Sequence, residues 1–283
     1  MAKIAWKSFP YPATDYDFPG TALQKRWSRL HQGDCEPYPA AASLNKLISI
    51  HPDLKPSMSV GQAANTLQTA WRAYHHGDFG QAIGLGLSVG PLGYNVANKA
   101  ANIYATYLEG VEKRRLALLL ESVERAEELQ ACAASLPNGW YLHAQALGRH
   151  AQAMSVVKAL AQGIGSKVKA GLERAIALEP HHADAHIGLG AYHAEVINKI
   201  GALVGGLTYG ASKDSGVKHF ESALKLNPHS AVARIEYANG LVMMFDKSKM
   251  AQATRLYADA AKCVAADAAE RLDIELARSE LEG

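Results

Sequence analysis

The chain has 283 residues, 48% of them hydrophobic, with 29 basic and 27 acidic side chains and a formal net charge of +2. That length and apolar content suffice to bury a continuous core, and near-neutrality leaves no strong field for nucleic acid or an anionic membrane. The three cysteines, Cys35, Cys132 and Cys263, are odd in number and widely spaced, which argues against a disulfide framework and for a reducing compartment.

Seven of the 11 prolines, namely Pro10, Pro12, Pro19, Pro37, Pro39, Pro52 and Pro56, fall near the start of the chain. Residues 1–57 are therefore expected to form a Pro-rich arm with one capping helix, and residues 58–283 a helical array. Met1–Pro19 reads as an arm lying on the body or as a tail. The start lacks the apolar core of a secretory signal, and no apolar run reaches the roughly 18 residues a membrane span requires. The expectation is a cytoplasmic protein without a transmembrane segment.

A helix is expected from Thr21 to about Gln32. Its end, WSRLHQGD from Trp27, recurs as WRAYHHGD from Trp71, so that Trp27/Trp71, His31/His75, Gly33/Gly77 and Asp34/Asp78 coincide. The tryptophans are expected in the core. Gly77 is read as the residue that closes a helical hairpin, with Phe79 and Ala82 opening the next helix. That helix continues as IGLGLSVGPLG, and since each glycine costs about 1 kcal/mol of helix propensity relative to alanine, distortion is expected there.

Residues Asn95–Leu108 and Val111–Ala134 are plainly helical, with Pro137 ending the pair. A further helix is expected from Trp140 to Leu160, interrupted by GIGSK at Gly163–Lys167. Next comes the chain's clearest signal. The text from Leu172 to Ala191, LERAIALEPHHADAHIGLGA, returns from Phe220 to Asn239 as FESALKLNPHSAVARIEYAN. Glu173/Glu221, Ala175/Ala223, Leu178/Leu226, Pro180/Pro228, His181/His229, Ala183/Ala231, Ala185/Ala233 and Ile187/Ile235 are identical. In each copy an apolar stripe at i, i+3, i+4 makes a helix, proline stops it, and two alanines open a second helix that lies close against the first. Lys199–Gly216, apolar and Gly-rich, is inserted before the second copy. The final pair spans Ala231–Phe245 and Lys249–Ala265, followed by a solvated capping helix over residues 267–283.

These residues resemble the tetratricopeptide repeat (TPR), whose end-and-restart pattern is Ala, Leu, Pro, then A-x-A. The resemblance implies an all-α, TPR-like superhelix of antiparallel helix pairs, about five hairpins long. The steps from Trp27 to Trp71 and from Leu172 to Phe220 make the repeats elongated and irregular beside the usual period of about 34. The segment from about Tyr141 to Phe245 also resembles the helical domain of the regulator-of-microtubule-dynamics family and the TPR component of bacterial organic-acid transporters.

Chemistry is sparse. His182, His186 and His193 have the spacing of imidazoles on one helix side, but His182 falls in a turn and no Cys or acidic pair completes a tetrahedral set, so no metal is expected. GLGLSVGPLG carries Val89 where a dinucleotide-binding turn needs glycine, and GGLTYGASK has the wrong order for a phosphate loop. No cofactor and no catalytic residue is expected. The resemblance places Tyr141, Gln145, Ile187, Ala191, Ile235, Asn239 and Val242 on a concave, mostly apolar groove. That implies a non-enzymatic binding scaffold whose guest is a protein or peptide, with a hydrophobic small molecule or lipid as the alternative. Leu203 and Leu207 are the candidate flap over it, with a turn folded back on the array as the plainer reading.

Overall fold

The computed structural model describes residues 6–155, 158–159 and 162–282, and these are all-helical with no strand. The helices are α1 (Ala22–Leu30), α2 (Ala41–Ile50), α3 (Val60–His76), α4 (Phe79–Ser88), α5 (Tyr94–Tyr107), α6 (Glu112–Cys132) and α7 (Pro137–Ala151). They continue as α8 (Ile164–Leu178), α9 (Ala183–Ile200), α10 (Ala202–Tyr209), α11 (Lys213–Leu226), α12 (Ala231–Phe245), α13 (Met250–Ala261) and α14 (Ala268–Glu282). Two compact units result: residues 1–29, 36–150 and 267–269, and residues 30–35, 151–266 and 270–283. The 57/58 junction lies inside the first of them.

In the first unit α3, α4, α5 and α6 pack in succession. Ser59 and Gln62 form a reciprocal capping box at the start of α3, which satisfies two backbone donors at once. At its end Gly77 takes the left-handed conformation (φ +99) and its N–H donates to Ala73 and Tyr74, closing the hairpin as its sequence implied. Gly33 has no positive φ. It accepts the Asp184 N–H at 2.9 Å, so the two WxxxHxGD copies differ in their turns. They do share an aromatic core: Trp27 and Trp71 meet edge to face at 5.7 Å, and buried His75 stacks on Trp71 while its Nδ1 lies 2.7 Å from Asp267.

The Gly-rich text of α4 has a packing reason. A Cβ on Gly86 would meet the Gly93 carbonyl at 2.8 Å, and Val96 and Ala97 only slightly farther off, so these glycines let α4 close on α5. The arm, from Trp6 onward, lies on this unit: Phe9 sits against Gly77 and the Lys7 N–H donates to Tyr104 Oη at 2.9 Å.

Pro137 begins α7 and does not merely end α6, as suits a residue whose missing N–H would be unpaired in a first turn. The helix stops at Ala151 and the chain turns at Gln152–Met154, so the unbroken run expected to Leu160 is absent; Leu160 itself lies outside the described residues. In the second unit α9 packs against α8, α10, α11 and α12, and α12 against α13. Phe220 is fully buried, stacked on Tyr237 at 5.1 Å, in a core with Ile187, Ala194 and Leu241. Helix α14 is not solvated all round: Ile274 and Ala277 join Ala231, Ile235 and Ala260 in a second cluster, because its apolar residues recur at helical spacing among the charges.

Candidate functional site

The two sequence copies fold into one turn geometry. Helix α8 ends at Leu178 and α11 at Leu226. In the first turn Glu179 Oε1 accepts the His181 N–H at 3.0 Å; in the second Asn227 Oδ1 accepts the His229 N–H at 3.3 Å. His182 Nδ1 then caps α9 by accepting the Ala185 N–H at 3.1 Å, and Ser230 Oγ caps α12 by accepting the Ala233 N–H at 3.0 Å. Different side chains at equivalent positions thus satisfy the same orphan donors. Ala175, Ala183, Ala185, Ala223, Ala231 and Ala233 are all buried, which brings each helix pair together.

The expected groove residues do not form one open wall. Ile187 is only 7% exposed and Ile235 3%, and they belong to two separate cores. Ala191, Asn239 and Val242 remain half-buried. Asn239 Oδ1 accepts the Tyr257 hydroxyl at 2.6 Å. On α7 the Gln145 side chain donates to Tyr141 Oη and accepts from Asn102 Nδ2, each at 2.9 Å. These two residues are held in an internal polar network of the first unit.

The insertion at Lys199–Gly216 folds into α10, whose outer face carries Leu203 (77% exposed), Val204 (52%) and Leu207 (83%). Its inner side is tied down: the Tyr192 hydroxyl donates to the Tyr209 carbonyl at 3.1 Å, and Ala211 is buried in the core with Phe220. The two leucines point away from the packed surface.

Of the histidines singled out by spacing, His182 is the cap of α9. His186 and His193 instead meet His219 of α11. His186 Nδ1 lies 2.9 Å from His219 Nδ1, the His193 and His219 rings stack at 5.8 Å, and His193 Nδ1 accepts the Ser212 N–H at 3.3 Å. Two Nδ1 atoms at that distance require one donor and one acceptor, so His186 and His219 cannot both be charged. Burial, and then His219, push His186 down to about 4. His193 is likewise lowered to about 4 by burial, His219 and Lys169, and burial lowers His219. Sequence spacing within one helix missed His219. The repeat register held the signal, since His219 aligns with Gly171, a buried position of α8.

Among the described residues no group of three or more His, Cys, Asp or Glu is arranged to hold a metal ion. No described helix is long and apolar enough to cross a membrane. A shallow cleft of about 440 Å³ in the first unit is lined by Thr21, Gln24, Tyr38, Asn65 and Gln68 among others, with no charged side chain. No family model matches the chain, and no curated protein matches it.

Proposed function

We propose that the chain is a non-enzymatic binding scaffold of the tetratricopeptide type, a superhelix of elongated helix pairs that works as a protein–protein adaptor. The observation that carries this reading is the duplicated turn: in the copies that begin at Leu172 and Phe220 the equivalent backbone N–H groups are satisfied by side-chain acceptors at equivalent positions, while the identity of the accepting side chain changes. Such constancy of frame with freedom of side chain is what a stacked repeat needs to vary its surface without changing its packing.

The repeat register also places Ala191 and Asn239 at equivalent positions of α9 and α12, both half-buried, with Val242 one turn beyond. They give a strip of mixed polar and apolar character, suited to a folded or helical protein partner. A lipid or small-molecule guest would need the apolar wall that Ile187 and Ile235 already fill from inside, so the protein partner is preferred. A tagged chain is expected to retain a partner protein on affinity capture, and Val242→Arg is expected to lose it with an unchanged thermal midpoint. Equal capture by wild type and variant would remove this strip from the reading.

A further inference from the structure

The turn between α10 and α11 hangs on a histidine. Ser212 caps α11, its hydroxyl accepting the Ser215 N–H at 3.1 Å, and its own N–H donates to His193 Nδ1 on α9 at 3.3 Å. A ring nitrogen accepts a hydrogen bond only while it carries no proton. That link between α9 and the turn therefore exists only with neutral His193.

Few other contacts hold the segment. Of the eight residues of α10 only Gly205 is buried, and Gly201 and Gly210, both at positive φ, stand at its two ends. The Tyr209 carbonyl accepts the Tyr192 hydroxyl at 3.1 Å and the Lys169 ammonium at 3.4 Å, and Ala211 is buried. Segments with little buried surface open at a lower free energy than the core around them. Phe220, fully buried and stacked on Tyr237, anchors the rest of α11.

The surroundings of His193 offer no counter-charge to a protonated ring. His219 stacks on it at 5.8 Å and is itself tied to His186 through Nδ1 atoms 2.9 Å apart. Tyr192 of α9 meets the His193 ring edge-on at 5.5 Å. Helix α8 brings the cation Lys169, α12 brings uncharged Met244 against Gly216, and α10 carries no charged residue. The carboxylates of these helices are engaged or exposed. Glu173 pairs with Lys169 and Glu195 with Lys199, Glu221 lies against Tyr237, and Asp214 is exposed in the first turn of α11 while Lys213 lies over Phe245. No carboxylate acts on any of the three imidazoles. Protonation is thus resisted while the contact is closed and unhindered once it is open, so acid favours the open form.

We propose that the contact of His186, His193 and His219 is an acid-released latch: protonated His193 drops the Ser212 N–H, and the α10–α11 turn leaves α9 while the core around Phe220 stays folded. The inference is independent of the adaptor reading.

The test is amide hydrogen exchange followed by NMR at about pH 7 and about pH 5, with each rate referred to an unstructured chain at the same pH. Protection of the Ala211 and Ser212 amides is expected to fall at least about tenfold in acid, because His193 is held down to about 4 when closed and returns to about 6.5 when open. Both amides should stay far less protected than Leu241 of α12 at either pH, which marks the opening as local. His193→Asn places an acceptor that does not titrate near the Nδ1 position, and should keep Ser212 protected at neutral pH and remove most of the fall. Protection of Ser212 that is independent of pH, protection equal to that of Leu241, or an equal fall in the Asn variant would each overturn the latch. Should the Asn variant fail to fold, the wild-type imidazole titration decides. The Ser212 amide signal is expected to move with protonation of His193, and a Ser212 signal indifferent to it would overturn the proposal.

Discussion

At the scale of single residues, Phe220 shows how the second unit sets its tolerances. Its ring lies between helix backbones: a Cβ on Gly190 would stand 2.7 Å from one edge, and a Cβ on Gly240 2.6 Å from the other. Glycine inside a helix ordinarily costs about 1 kcal/mol relative to alanine. At position 240 the sign reverses, because a ring buried on all sides and stacked on Tyr237 has nowhere to move. Gly240→Ala is expected to destabilise by about 1–3 kcal/mol. On α7 an added Cβ at Gly148 meets nothing within 4 Å, so Gly148→Ala should stabilise by about 0.5–1 kcal/mol. Urea unfolding of the two variants beside wild type checks both signs. Neither glycine could be sorted from sequence, since each simply interrupts helical text; what separates them is the Phe220 ring, which faces Gly240 and has no counterpart within 4 Å of Gly148.

At the scale of elements, the contact between α9 and α11 carries a built-in response to acid. His186, His193 and His219 lie together with the Lys169 ammonium as the nearby cation acting on His193. Their folded-state pKa values are depressed below the unfolded value of about 6.5. The unfolded chain therefore binds more protons than the folded one between those values, and stability falls as pH falls. The loss begins near pH 6.5 and is complete near pH 4, the value to which His186 and His193 are pushed. Denaturation midpoints at steps from pH 7.5 to about 4.5 should decline. His219→Gln should flatten the decline, and an equal slope in wild type and variant would clear the cluster of that role.

Much of this level was legible in the sequence. The proline stops and the A-x-A restarts mark α8, α9, α11 and α12 because a helix cannot pass proline and a close pair needs small side chains. The stop of α7 at Ala151 was not legible, since Gln152–Met154 contains no residue that forbids a helix. The inward packing of α14 was partly hidden because its frequent charges mask Leu272, Ile274 and Ala277, which are buried. For the candidate site, the apolar residues of α10 could be picked out by eye but their helix could not, because its glycines disfavour one. Ile187 and Ile235 fell on an expected groove for a different reason: apolar periodicity reports that a face is covered and is silent on whether the cover is the protein itself or a guest.

At the scale of the whole chain, 29 basic and 27 acidic residues nearly balance, and the described residues form a helical framework that includes a duplicated turn. The adaptor reading makes association with another polypeptide the purpose of that turn and of the mixed strip at Ala191, Asn239 and Val242. Native mass spectrometry of the protein purified gently from its own cells tests this most directly. The account predicts a complex whose added mass is a second polypeptide in fixed stoichiometry. A chain that carries only a lipid or other small molecule, with no protein partner, would contradict it.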